Sequence, residues 1–280
     1  MQNYITTSVL TINEGLGSQM SNFAALYAIA KKTGHRILFM EGRSGGKGLL
    51  LNAPFEGLPI DVVSEGSLIG EEGLVSRFQL DVNSVVDSRV FEISSNINYD
   101  FDQLFHSYRY WYPARDEILG LFRFKKEIVA QALALLGGIN ADGREIVSIH
   151  VRRTNYLTSL EHANLSLDYY LNACSQFIGD KYVFLVFSDD IEWCRATFKR
   201  RANFFYSGKD SAHVDLCAMS LCHHNIVANS SFSMWGALLN RSRSKKVVCP
   251  SRYLKEDAMI RYINHAWFPD DWICLDDLLA

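Results

Sequence analysis

Three clusters of polar residues, each following an apolar run, carry the chemistry in this chain. The first is His150-Val-Arg152-Arg153-Thr154-Asn155, which closes the apolar stretch Ile146–Val151. Two adjacent guanidiniums at a strand end are costly unless something anionic sits between them. Arginine grips phosphate oxygens with two parallel N–H bonds. The second cluster is Ser188-Asp189-Asp190 after Tyr182–Phe187. The third is Asn229-Ser230-Ser231-Phe232-Ser233 after Asn225–Ala228. Taken singly, Asp189, Asp190, Ser230 and Ser231 each have a plain structural use as helix caps. Together, at one edge of one sheet, they make a pocket of arginines, a carboxylate and hydroxyls at a helix start. Ligands of open α/β sheets bind off the carboxyl ends of strands, and a helix N-terminus offers free N–H groups to a phosphate. A carboxylate beyond a strand accepts from the N–H groups of a guanine base. The pattern therefore suggests a nucleotide site.

That site needs no catalytic metal on this reading, because arginines can neutralise a leaving diphosphate directly. The adjacent aspartates are not the Asp-x-Asp of a metal-dependent sugar transferase, and they have a helix to cap. No set of His106, His162, His213, His223 and His224 has metal-ligand spacing, and the six cysteines form no paired clusters. His150 faces the same way as Arg152 by the period of a strand; its alternative role is a structural, half-buried histidine. Group transfer to a hydroxyl would be helped by a general base. Asn155 cannot serve, since an amide takes no proton. Glu14, Glu161 and Asp168 are carboxylates available by position, Asp168 doubling as a first-turn residue of a helix.

The elements that must hold these residues alternate. Tyr4–Ile12 reads as a strand that ends in Glu14-Gly15-Leu16-Gly17-Ser18. A helical pattern follows, with Met20, Phe23, Ala24, Tyr27 and Ala28 on one face, Lys31-Lys32 in the last turn and Gly34 as the stop. His35–Met40 is the next strand, which completes a β-α-β unit. Residues 42–48 are glycine-rich, but their spacing is wrong for a phosphate loop, and they read as a surface loop. Arg89–Ile93 is a strand candidate. Phe101–Trp111 is strongly aromatic and suits either a core or a sugar-binding cleft. Lys125–Leu136 is a helix, ended by Gly137-Gly138, and residues 137–145 read as a linker. The predicted domains are 1–140 and 146–280, the second being the nucleotide-binding one. In the second, strands at Ile146–Val151, Tyr182–Phe187, Asn203–Tyr206, Asn225–Ala228 and finally Lys246–Cys249 alternate with helices at Leu167–Phe177, Ile191–Phe198, His213–Cys222 and Phe232–Leu239. This is a parallel sheet covered by helices.

Bulk properties narrow the function. With 280 residues and 48% hydrophobic content, the chain can build sizeable cores. Its formal net charge of −3 gives no basic field for nucleic acid. The basic groups at 195–201 and Arg241–Lys246 are solvated helix ends or turns; their other use would be adhesion to an anionic membrane presenting a lipid-linked acceptor. The first residues form no signal peptide and no apolar run reaches eighteen. The cysteines read as free thiols in a reducing compartment. A cytoplasmic protein, working at the inner face of the membrane if at any membrane, is expected.

The motifs resemble the α-1,2-fucosyltransferases of glycosyltransferase family eleven. The chain is similar to them at Gly15-Leu-Gly-Ser-Gln-Met20, His150-Val-Arg-Arg-Thr-Asn-Tyr156, Ser166-Leu-Asp-Tyr-Tyr170 and Phe187-Ser-Asp-Asp190. It is also similar over Met219-Ser-Leu-Cys-His-His-Asn225 and on to Gly236, the longest and most specific stretch. The resemblance implies an α/β glycosyltransferase of the B type, with two Rossmann-like domains facing a cleft. It implies inverting, metal-independent transfer of L-fucose from GDP-β-L-fucose to a hydroxyl of an oligosaccharide, with no cofactor. Arg152 and Arg153 would surround the diphosphate, Asp189 or Asp190 would hold guanine or ribose, and Gly15 and Gly17 would close on the donor. His150, Asn229, Ser230, Ser231 and Phe232 complete the donor set. Arg152, Arg153, Asn155 and Glu14 are the catalytic candidates.

The chain departs from the family pattern at Asn155, where an Asp is usual, at Ser18 in place of Asn, and at Met234 in place of a Trp. Two other readings stay open: the same fold with another GDP-6-deoxyhexose or another acceptor, and a non-catalytic nucleotide- or glycan-binding relative.

Overall fold

The computed structural model describes residues 2–8, 14–40, 47–63, 75–81, 84–105, 107–198, 203–208, 211–255 and 266–277. The glycine-rich loop expected over 42–48 lies almost entirely outside them, as do His106, the end of the first expected strand and part of the basic group at 195–201. The chain divides into two compact units, residues 1–123 and 124–280.

In the first unit the elements are β1 (Tyr4–Thr6), α1 (Leu16–Thr33), β2 (Arg36–Met40), β3 (Phe55–Glu56), β4 (Asp61–Val63), β5 (Val75–Phe78), β6 (Asn98–Phe101) and α2 (Arg115–Leu121). Five strands form a parallel sheet in the order β4-β2-β1-β6-β5. Helix α1 forms as expected. Leu16, Met20, Phe23, Ala24 and Ala30 are buried, and Gly34 at φ 78° closes the helix with its amide on the Ala30 carbonyl at 2.8 Å. Only glycine adopts that left-handed conformation without steric cost.

One expectation for this unit changes and one open alternative is settled. Arg89 lies in a 3-10 turn, Ser88–Phe91, and not in a strand, because the Asp87 carboxylate accepts from both the amide and the guanidinium of Arg89 and curls the chain. The aromatic stretch is core: Phe101, Phe105, Tyr108, Tyr110 and Trp111 are all buried, and Phe105 packs edge to face with both Phe101 and Tyr110.

A two-residue strand, β7 (Arg123–Phe124), stands where the units divide. The second unit holds α3 (Lys126–Gly137), β8 (Glu145–Val151), α4 (Leu167–Cys174), β9 (Tyr182–Ser188), α5 (Ile191–Thr197), β10 (Phe204–Tyr206), α6 (Ala212–Leu221), β11 (His224–Ile226), α7 (Ser231–Leu239), β12 (Val247–Pro250) and β13 (Ile273–Leu275). The division falls ahead of α3 and not behind it as the linker at 137–145 suggested. Helix α3 packs against α6 and so belongs with the second sheet. Strand β12 is not the last; β13 pairs with it in parallel.

The second sheet runs β10-β9-β8-β11-β12-β13, all parallel. Strand order reverses at β8, whose neighbours β9 and β11 lead in opposite directions. Such a reversal opens a crevice at the carboxyl ends, where ligands bind. The core beneath is apolar throughout: Val147, Ile149, Val151, Tyr169, Phe184, Val186, Ile226 and Val248 are buried together. Gly236 lets α7 approach α6, since a Cβ there would meet the Met219 Cβ at 3.0 Å. Each unit is a Rossmann-like α/β layer structure, as expected.

Candidate active site

Strand register places the site. Val151 pairs with Ser188 and Ile149 with Ile226. One step beyond, Arg152 leaves β8 beside Asp189 leaving β9. Asp189 then receives three donors. Its carboxylate accepts the Arg153 amide at 2.9 Å, the Thr154 hydroxyl, and an Arg152 terminal nitrogen at 2.9 Å. Its side chain is 19% exposed and that of Arg152 is 32% exposed. The carboxylate therefore braces the whole turn after β8.

Arg152 has further supports. Its other terminal nitrogen donates to Asn155 Oδ1 at 2.7 Å, and its guanidinium lies 5.4 Å from the centre of the Tyr156 ring. Tyr156 in turn stacks on His162 at 4.1 Å and donates its hydroxyl to the Asn229 carbonyl. Arg153 is held differently. Its Nε donates to Asp190 Oδ2 at 3.3 Å, and its guanidinium carbon lies 3.7 Å from the centre of the Trp193 ring.

The twin aspartates thus divide their labour. Asp190 caps α5, its Oδ1 accepting the Trp193 amide at 3.3 Å, while Asp189 caps no helix. Ser230 holds the cap position of α7 without a side-chain cap bond. The first amide of α7, that of Ser231, instead donates to the Tyr253 hydroxyl at 2.8 Å. The next amides, of Phe232 and Ser233, lie at the free start of the helix, where four N–H groups lack intrahelical partners. Asn229 is fully buried and spends its amide group on the carbonyls of Ala163 and Tyr253, both at 2.8 Å. It anchors the turn before α7 to two other loops.

His150 is 6% exposed, with its ring 5.5 Å from Phe232. Burial, with the Arg152 charge adding to it, pulls its pKa down to about 4 against the opposing pull of Asp189. It is therefore neutral near pH 7, and its Nδ1 is buried without a hydrogen-bond partner.

The other motifs of the second unit are structural. Ser166 caps α4, accepting the Tyr169 amide, and Tyr169 donates its hydroxyl to the Val227 carbonyl at 2.6 Å. Asp277 accepts both the Ser166 amide and hydroxyl at 2.6 Å. His223 and His224 each accept a backbone amide at the opposite end of the sheet, from Ile146 and Lys246 respectively, both at 2.9 Å. That explains the paired histidines. Among the described residues no group of three or more His, Cys, Asp or Glu could hold a metal ion. All six cysteines are free. No helix among the described residues is long and apolar enough to cross a membrane.

Of the residues singled out from sequence, His150, Arg152, Arg153, Asn155, Asp189, Asp190, Asn229, Ser230, Ser231 and Phe232 all lie at the carboxyl edge of the second sheet. Glu14, Gly15 and Gly17 lie in the first unit. Gly15 caps α1 with extended backbone, and a Cβ on it would meet nothing within 4 Å. Beside them Gln19 ties the turn down, donating to the Glu14 and Gly48 carbonyls and accepting the Leu50 amide at 2.8 Å. Glu161 and Asp168 stand on the second unit's surface loop and helix start. Trp193 and Tyr253 were not expected, and Tyr156 was read only as the end of the first motif. Trp193 carries a readable signal, one turn past an acidic cap beside a strand-end arginine; Tyr253 has none, being brought in from a distant loop.

The pattern of this chain matches the model of glycosyl transferase family 11 over residues 75–276. It is 26% identical to the O-antigen biosynthesis glycosyltransferase WbnK of Escherichia coli, over 91% of this chain and 98% of that one. It is 26% identical to galactoside alpha-(1,2)-fucosyltransferase 2 of Rattus norvegicus, over 82% of this chain and 67% of the relative. Its fold is similar to that of NodZ, an alpha-1,6-fucosyltransferase whose crystals were soaked with GDP-fucose. The TM-score is 0.57 at 15% identity, covering 85% of this chain and 93% of NodZ.

Proposed function

This chain belongs to glycosyl transferase family 11, and we propose that within it the protein moves L-fucose from GDP-β-L-fucose to O2 of a terminal galactose in an oligosaccharide. The observation that carries this reading is the arginine pair at the end of β8, braced by Asp189 and Asp190 opposite the start of α7. Two fixed positive charges and a helix start suit the diphosphate of a nucleotide sugar. The relatives' names support the fucosyl donor, the galactoside acceptor and a place in surface-glycan synthesis.

In the proposed reaction the acceptor hydroxyl attacks the anomeric carbon opposite the diphosphate. The bond from that carbon to the phosphate oxygen breaks, GDP leaves, and the hydroxyl proton goes to a base or to water. Arg152, Arg153 and the free amides of α7 stabilise the charge that grows on the leaving diphosphate. Asn155 holds Arg152 and takes no proton. Glu14, in the glycine turn with Gly15 and Gly17, is the carboxylate we assign as base, and Glu161 and Asp168 are the alternatives. No metal and no cofactor enter. The protein acts in the cytoplasm on an oligosaccharide or lipid-linked glycan, at the inner face of the membrane in the second case.

The test is transfer from GDP-fucose to a panel of β-galactosides, with the product linkage read by NMR and GDP binding by calorimetry. An α-1,2-fucosylated product is expected. Transfer from another GDP-6-deoxyhexose alone would move the reading to that donor. GDP binding without turnover on any donor would favour the non-catalytic relative.

A further inference from the structure

Arg153 and Arg152 stand next to each other but are held in unlike ways. Arg152 is tied at both terminal nitrogens, to Asp189 and Asn155. Arg153 is tied only at Nε, to Asp190. Its flat face rests on the Trp193 indole, 3.7 Å from guanidinium carbon to ring centre. Both supports come from one helix turn. Asp190 caps α5 with one oxygen, accepting the Trp193 amide, and holds Arg153 with the other. The residue whose amide is capped supplies the ring.

This arrangement fixes the plane of a guanidinium without consuming the edge that recognises an anion. A guanidinium has five N–H donors, and one of them goes to Asp190. The four on the terminal nitrogens have no partner among the described residues, and the side chain is 21% exposed. A carboxylate in place of the indole would fix the group equally well, but it would cancel the charge and occupy that edge. An aromatic face attracts the cation and leaves its charge in place.

We propose that Trp193 is a positioning residue for the donor diphosphate, holding Arg153 flat so that its two terminal nitrogens meet phosphate oxygens as a fork. The proposal rests on the GDP-sugar reading given above. It assigns the phosphate fork to Arg153 and the bracing of the loop to Arg152, so the two arginines are not equivalent.

The test compares GDP with guanosine by calorimetry in the parent, Trp193→Leu and Trp193→Phe, and measures kcat and KM for the donor in each. Leucine removes the ring face and phenylalanine keeps a weaker one. In W193L, GDP affinity should fall by about 3- to 30-fold, the range of a cation–aromatic contact. Guanosine, which lacks phosphates, should bind as it does to the parent. W193F should lie between the two. A general loosening of the unit would weaken guanosine and GDP alike, and that result would overturn the proposal, as would unchanged GDP affinity in W193L. If W193L fails to fold, W193F decides: a selective loss for GDP of about twofold or more supports the proposal, and parental affinity for both ligands overturns it. A parent that binds neither GDP nor GDP-fucose would sink the donor reading and this proposal with it. A parent that binds GDP, with W193L indistinguishable from it, would sink only the role of Trp193.

Discussion

Replacing Asp189 by Asn separates two uses of this carboxylate, bracing the arginine turn and holding the guanine base. The geometry gives three donors to Asp189: the Arg153 amide, the Thr154 hydroxyl and Arg152. In D189N the new side chain keeps an oxygen for the amide and turns an NH2 group toward the remaining donors. The Thr154 hydroxyl can rotate to accept from it, but Arg152 cannot. The loss is therefore one hydrogen bond to a charged group, about 1.5–3 kcal/mol, at the lower end because Arg152 is about a third exposed and solvent screens the pair. In a unit of this size that corresponds to a fall in Tm of roughly 3–8 °C.

GDP binding should change much less. Freeing Arg152 from its counter-ion strengthens its attraction to a diphosphate by about 1 kcal/mol at a partly solvated distance of ~6 Å. Ordering the freed side chain on binding costs about 0.5–1.5 kcal/mol. The two effects oppose, so GDP affinity should move by less than about fivefold while the melting temperature drops. Guanosine affinity should not change. The assays are thermal unfolding by circular dichroism and calorimetry with both ligands. A loss of guanosine affinity beyond about a hundredfold, at unchanged Tm, would refute the bracing role and give Asp189 to the base.

Three more outcomes are expected. Asn155→Ala removes one bond to Arg152 and should slow turnover by about tenfold, which is about 1.4 kcal/mol. Asn155→Asp should restore or raise it; a many-thousandfold loss in N155A with GDP affinity intact would show that Asn155 does more than hold Arg152. His150 has a folded-state pKa of about 4, depressed from 6.5 mainly by burial. The unfolded chain thus takes up a proton below 6.5 that the folded one refuses until about 4, and stability falls as pH drops through that window by up to roughly 3 kcal/mol. Acid unfolding of His150→Gln should be flatter than the parent's between those values, and superimposable profiles would contradict it. Turnover should survive excess EDTA, and restoration of a chelated enzyme by manganese or magnesium would require Asp189 and Asp190 to be reread as metal ligands.

Much of the second unit was legible because its signals are local. Ile146–Val151 is an almost unbroken apolar run, so it had to be a buried strand, and the polar residues after it had to emerge at its end. The same holds for Tyr182–Phe187 with Asp189, and for Ser166 as the cap of α4. What sequence could not resolve depends on distant partners. Helix α3 has the same apolar period whichever sheet it packs on, so the division between units was placed after it and not before. Strand β13 is three residues long at a sheet edge, and its Ile-Cys-Leu has no alternation to mark it. Arg89 reads as part of a strand by residue type, yet one acidic side chain two residues earlier turns it into a 3-10 segment. Serines ahead of α7 look like caps, but the cap comes from Tyr253.

The tie between Tyr253 and the start of α7 also has a consequence for synthesis. Arg152 and Arg153 leave the ribosome about 100 residues before Tyr253, and Asp277, which secures the start of α4, comes later still. At roughly 5–20 residues per second, the arginines are exposed for about 5–20 seconds before that anchor arrives. During elongation the nascent chain therefore carries the charges of the site without its frame. Competence for the donor is acquired late, close to the moment the chain is complete through β13, and a chain shortened just before residue 253 would keep both arginines and the start of α7 but lack the Tyr253 hydroxyl that receives its first amide.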